Sequence, residues 1–267
     1  MTKEFKGKAI YNPKGKAAEY SKWACNFYTG CSNGCTYCYL KKGRGSKVLG
    51  GDKPTLKKCF KDEAHALEVF EKEMYKNRTE LRKHGLFFSF TTDPMLRETK
   101  LLTNAAVYIC NMNKIPVKIL TKQVGYLYQL GLADEIDKSL IAIGVTLTGH
   151  DEKEPKASPT SQRIAALAYA KASGYRTFAS IEPVINFDKA RTVIYKILAD
   201  CDLIKVGLES GGKYDIVEAQ TFVEWLAELQ TTKIYLKESI QKLTRYTNAE
   251  LDEYFVESDY NIFSHGK

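Results

Sequence analysis

Three cysteines fall within the stretch TGCSNGCTYCYL, at Cys31, Cys35 and Cys38, whereas the other four (Cys25, Cys59, Cys110 and Cys201) are scattered along the chain. Thiolates are soft metal ligands, so a tight group of them in a chain that otherwise spreads its cysteines points to a metal centre. Structural zinc takes four ligands, usually as two separated pairs. This chain offers one C-x₃-C-x₂-C triplet and no second pair, so a zinc site needs a distant fourth ligand: His65, His84, His150 or His265. Iron–sulfur clusters also take four thiolates as a rule. Three cysteines on a four-iron cluster leave one iron open to a substrate or cofactor, and an open position usually means chemistry.

The surroundings of the triplet are basic. Residues 1–61 hold 14 Lys or Arg against three acids, Glu4, Glu19 and Asp52, while residues 62–267 hold 26 basic against 29 acidic residues. The positive excess therefore flanks the cysteines and includes KKGRGSK at 41–47. It is either a solvated lysine-rich surface or a positive lip that attracts phosphates or an acidic protein. With 44% hydrophobic and 27% charged residues the chain reads as an ordinary globular protein. An odd number of cysteines with one cluster argues against an extracellular disulfide framework. No apolar run reaches the length of a membrane span, and the start, MTKEFKGKAI, lacks the apolar core of a secretory signal, so a cytoplasmic location is expected.

The elements that must position the triplet alternate. Six runs read as strands: KWACNFY (22–28), LFFSFTT (86–92), PVKILT (116–121), LIAIGVTLT (140–148), YRTFASI (175–181) and DLIKVGLE (202–209). They are nearly continuous apolar runs, as strands covered on both faces must be. Between them lie helical patterns. Leu67, Phe70, Met74 and Leu81 share one face of 63–84, with Gly85 placed to stop it. Ser158 and Pro159 are placed to open a helix that Gly174 ends, and Asp188 to open another carrying Val193, Ile194, Ile197 and Leu198. The tail, 213–267, reads as all-helical, with TNAE (247–250) as a capping box. The expected fold is α/β: a partial (β/α)6 TIM-like barrel over 1–212, basic segment 1–21 included, with a helical C-terminal extension packed on it in one domain. The cysteine loop then sits just past the carboxyl end of the first strand, the edge where parallel sheets bind ligands.

At this point the residues resemble the radical S-adenosylmethionine (SAM) enzymes. The signature of that family is C-x₃-C-x-aromatic-C, and CSNGCTYC matches it at every position, with Tyr37 as the aromatic residue. The resemblance implies that Cys31, Cys35 and Cys38 each bind one iron of a [4Fe–4S] cluster whose fourth iron is chelated by SAM. One electron then cleaves SAM to methionine and a 5′-deoxyadenosyl radical that abstracts hydrogen from a substrate. It further implies that Tyr37 packs near the adenine, and that the SAM contacts come from strand ends. Those are Thr92 and Asp93 in TTDP, Lys122, Thr146, Thr148, Glu182 and Glu209. Asp93 stands where the commoner form of the family has Gly-Gly-Glu.

Within that family GCTYCYL and SFTTDP are most similar to the spore photoproduct lyase-like group, over about residues 20–210. In the lyase the two tyrosines matched here by Tyr37 and Tyr39 are linked to returning a hydrogen atom. One departure is plain: residues 86–95 contain no cysteine, where the lyase carries its hydrogen-donating one, so dimer repair by that route is not expected. Residues 211–267 also lack cysteine, which disfavours members with auxiliary clusters. The leading expectation is a radical SAM enzyme acting on a nucleic acid or nucleotide, with an acidic flavodoxin or ferredoxin as electron donor. The alternatives are a radical SAM enzyme acting on a small molecule or peptide, and a zinc-stabilised nucleic-acid-binding protein.

Overall fold

A computed structural model describes residues 4–42, 45–127 and 135–264; Gly43 and Arg44 of the lysine-rich stretch, and His265, lie outside them. In chain order the strands are β1 (Ile10–Tyr11), β2 (Ala24–Cys25), β3 (Tyr28–Thr29), β4 (Thr55–Leu56), β5 (Leu86–Phe88), β6 (Val117–Thr121), β7 (Ile141–Thr146), β8 (Arg176–Val184), β9 (Leu203–Leu208) and β10 (Lys233–Leu236). All six strand-like runs enter one sheet of order β1-β2-β5-β6-β7-β8-β9-β10, in which every pair is parallel except β1 with β2. Among the described residues the sheet does not close into a barrel; β1 and β10 are its edges.

Two expectations are corrected. The tail is not all-helical: α6 (Ile216–Glu228) and α7 (Glu238–Thr244) enclose β10, which pairs with β9 as a seventh parallel strand. Burial explains why. Ile234 and Leu236 join the outer core and Tyr235 the inner one, so four residues with two-fold periodicity satisfy both faces at once. Tyr254 and Phe255 lie beyond a short 3₁₀ turn, Asn248–Glu250, which does carry the expected capping box. Next, KWACNFY breaks after Cys25, and Tyr28–Thr29 leaves the sheet to pair antiparallel with Thr55–Leu56. That small ribbon flanks the cysteine loop.

Among the described residues the helices before the tail are α1 (Ser46–Leu49), α2 (Glu63–His84), α3 (Lys100–Met112), α4 (Thr160–Ala172) and α5 (Phe187–Tyr195). The second follows the sequence rule closely: Asp62 caps it by accepting from His65 N, Phe70, Met74 and Leu81 are buried, and Gly85 ends it. In α4 the cap differs from expectation. Ser158 turns away to accept from Val124 N, and Asp151 instead takes Thr160 N at 2.9 Å. The fifth is capped by Asn186, with Asp188 in its first turn, and stops before Ile197.

Helices and sheet bury one large apolar core on the outer side. The concave side is filled at its base by a second, smaller group: Tyr20, Phe87, Ala142, Phe178, Leu203 and Tyr235, with Ile262 of the tail against them. Above that base the inward positions turn polar, and there the strands present their chemistry.

Candidate functional site

Backbone hydrogen bonds give the cysteine loop its first anchors. Cys31 N donates to Gly51 O at 2.9 Å, Thr36 N to Lys153 O at 3.0 Å and Lys156 N to Asn33 O at 3.2 Å. Gly30 enters the loop at φ +84°, and a Cβ there would lie 2.4 Å from Lys53 O, so only glycine fits. All three cysteines line one shallow recess together with Asn33, Gly34, Gly50 and Gly51. Burial, with the nearby Asp93 charge, pushes the Cys31 thiol up to about 12; burial raises Cys35 as well. Such thiols give up their protons only to a cation that replaces them, which suits a soft metal group. Among the described residues no three Cys, His, Asp or Glu side chains converge on the position of a single ion. A multi-iron cluster asks less of them, because each thiolate binds its own iron.

Asp93 is the hub beside this loop. One carboxylate oxygen accepts from Asn33 Nδ2 and Lys122 N, both at 2.8 Å; the other accepts from Thr121 Oγ1 at 2.5 Å and Met95 N at 3.0 Å. Four donors fill the four lone-pair positions of a carboxylate. Asp93 therefore ties the cysteine loop (through Asn33) to the ends of β5 and β6. Gln123 completes the tie, donating to Asn33 Oδ1 at 2.7 Å and to Lys156 O at 2.5 Å. Next to Asp93, the buried Thr92 Oγ1 has no partner, which in a polar corner marks a place for a ligand atom.

A buried charge group lies under Tyr37. Its hydroxyl donates to Glu154, whose other oxygen pairs with Arg163; both charged side chains are fully enclosed. Arg163 also donates to Thr146 O at 2.6 Å and to Asp151 at 3.2 Å. Lys122 reaches over the group, its Nζ 4.0 Å from Glu154 and 5.5 Å from the centre of the Tyr37 ring. Burial and the Glu154 charge hold the Tyr37 phenol well above its ordinary range.

Farther along the same rim, Glu182 is gripped by Lys237 at 2.7 and 2.8 Å and by the hydroxyl of Tyr20 at 2.6 Å. Gly207 makes this possible: a Cβ there would come within 2.9 Å of the Lys237 stem and 3.1 Å of the Glu182 carboxyl. Tyr20 arrives from outside the strands. The segment after β1 crosses the open side of the sheet, where Glu19 accepts from Glu238 N at 2.7 Å and from Tyr235 Oη at 3.0 Å, and Lys16 reaches Ser210 at 2.8 Å. It straps the two edges together where a closed barrel would have hydrogen bonds.

The residues named from the sequence thus occupy one rim. Cys31, Cys35, Cys38, Tyr37, Thr92, Asp93 and Lys122 form a connected corner. Thr146 and Thr148 are buried at and just past the end of β7, where Thr148 Oγ1 accepts from His150 N at 3.3 Å. Glu182 belongs to the opposite corner, and Glu209 pairs with Lys42 at 2.9 Å. Tyr39 is largely exposed, its hydroxyl on Phe90 O. Of the histidines weighed as a fourth metal ligand, His65 accepts from Lys61 N, His84 faces Glu80 and His150 pairs with Glu152. Sequence reasoning missed Asn33, Glu154, Arg163, Tyr20 and Lys237. Only Asn33, inside the cysteine motif, had a signal to find it by.

No protein-family model and no curated protein matches the chain. Among solved structures, a spore photoproduct lyase complexed with dinucleoside spore photoproduct has the same fold, with a TM-score of 0.54 at 13% identity over 80% of this chain. The match spans 63% of the lyase's own length.

Proposed function

We propose that the chain is a radical SAM enzyme. The observation that carries this reading is the position of CSNGCTYC at the carboxyl edge of a parallel sheet whose fold is that of the lyase. Cys31, Cys35 and Cys38 would hold a [4Fe–4S] cluster, and the orphaned Thr92 hydroxyl and the Lys122 ammonium would face SAM. The group supplies, when bound, one-electron cleavage of SAM to a 5′-deoxyadenosyl radical. The chain's own residues do the rest. Asp93 and Gln123 fix the loop through Asn33, Glu154 orients Tyr37 and Lys122, and the apolar base of the concave face keeps water from a reactive carbon centre.

The substrate in this reading is a nucleic acid or nucleotide. Two observations support it: the basic flank of the cysteine loop, with exposed Lys41 and Lys53, and the dinucleoside bound by the lyase of the same fold. The same flank suits an acidic flavodoxin or ferredoxin as electron donor. Among the described residues no helix is long and apolar enough to cross a membrane.

The test is anaerobic purification, reconstitution with iron and sulfide, and incubation with SAM and dithionite beside a Cys31→Ala/Cys35→Ala/Cys38→Ala control. The expected result is about four irons per chain and 5′-deoxyadenosine that depends on the cysteines. Stoichiometric zinc with no 5′-deoxyadenosine would overturn the reading in favour of a structural clasp.

A further inference from the structure

We propose that the chain carries a second small-molecule site, for a nucleoside monophosphate, at the amino-terminal edge of its sheet. A hollow of about 500 Å³ opens there, against about 20 Å³ for the recess beside the cysteines. It lies between Lys171 in the last turn of α4, the starts of β9 and β10, and Tyr254 of the tail. The six residues of β9 separate it from the rim, a run of roughly 20 Å, so it belongs to neither corner described above.

The lining decides what the hollow takes. Lys171 pairs with Asp202, whose other oxygen accepts from Thr177 N at 2.8 Å and Thr177 Oγ1 at 3.1 Å, so this carboxylate is spent within the protein. Lys233 has no such partner. Its Nζ donates to Glu253 O at 2.7 Å and stands 5.3 Å from the centre of the Tyr254 ring. Among the described residues no carboxylate pairs with it. A carbonyl and a ring answer an ammonium only in part, whereas an anion answers it fully. Two ammonium groups against one carboxylate leave the lining positive, and exposed Thr231 adds a hydroxyl at its mouth. Leu198, Ala199 and Tyr254 supply an apolar and aromatic wall. An ammonium alone would take any anion and an apolar wall any hydrophobe; together they select an anion carried by a flat ring. The volume chooses among such anions. A benzoate-sized molecule would leave most of the hollow to water, while a base, a sugar and a phosphate together match its size. The phosphate then meets Lys233 and Thr231, and the base lies along Tyr254.

The test is calorimetric titration of the full chain with adenosine monophosphate (AMP), adenosine and inorganic phosphate. AMP is expected to bind, with adenosine and phosphate each about tenfold weaker, since each uses only part of the site. Lys233→Met should lower the AMP affinity about tenfold, and Lys233→Arg should restore it. If Lys233→Met does not fold, Thr231→Asp decides, because it sets a negative charge at an exposed position where the phosphate must sit. AMP is also similar to part of SAM, so Lys122→Met is titrated beside these variants and should leave AMP binding unchanged. Binding that falls in Lys122→Met but not in Lys233→Met would overturn the proposal, as would AMP binding no tighter than that of phosphate. The Cys31→Ala/Cys35→Ala/Cys38→Ala chain should bind AMP like the native one, so this site stands or falls apart from the cysteine chemistry.

Discussion

The corner around Asp93 and the corner around Glu182 both hold a carboxylate on the concave rim, yet they satisfy it differently. Asp93 is held by two backbone N–H groups, an amide and a hydroxyl. Glu182 is held by an ammonium and a phenol. Backbone donors cannot move without unravelling the strand ends they belong to, so the Asp93 corner is a frame. Lys237 and Tyr20 hold Glu182 through side chains alone, so the Glu182 corner can rearrange without disturbing a strand end. The Glu154–Arg163 pair sits with the frame but is made of charges, and it is where the comparison is most exposed to test.

Glu154→Gln should cost the most, about 3–5 kcal/mol in urea unfolding, because it leaves fully enclosed Arg163 with only the half-exposed Asp151 as counter-charge. Adding Arg163→Met to it should recover much of that loss. A double mutant no better than the single would mean that the pair acts through packing alone. The Asp93 and Glu182 corners are then compared directly. Asp93→Asn turns an amide N–H₂ toward two of the four donors and should cost about 3 kcal/mol, while Glu182→Gln, partly exposed, should cost about 1.5 kcal/mol. The reverse order would break the comparison.

A smaller effect depends on pH. Burial lowers the Lys118 amine to about 8. Between that value and the ordinary lysine range the unfolded chain binds the extra proton, so stability rises with pH across this window and the penalty of the buried charge is fully present below it. Lys118→Met should therefore gain on the order of 1 kcal/mol at neutral pH and flatten the rise above pH 8, as read by melting temperature against pH. Smallest of all, Asp52→Asn removes the surface pair with Lys41 and should leave the melting temperature unchanged, since exposed ion pairs are screened by water.

Much of the frame was legible and little of the Glu182 corner was. CSNGCTYC marked itself as a candidate site because metal ligands need fixed spacing along a short loop, and the helix over 63–84 announced its length through its apolar face and Gly85. The seventh parallel strand was hidden, because KIYL is short and lies between two helices, where four apolar-leaning residues carry no distinct period. Arg163 reads in SPTSQRIAAL as a solvated helix residue; nothing local says that its partner waits nine positions earlier in a buried loop. Tyr20 is one of 17 tyrosines, set apart only by a strap that crosses the open side of the sheet.

By itself the sequence determined most of the elements and the grouping of the three cysteines, because spacing along the chain decides which side chains share a helix face, a strand face or a tight loop. Tertiary structure alone decided how the open sheet is spanned and which charges meet. Tyr20 and Glu182 are 162 positions apart, and Lys42 and Glu209 are 167. Pairing at such separations follows from sheet order, the strap and burial, which set electrostatics in space and leave no period in the sequence for a reader to find.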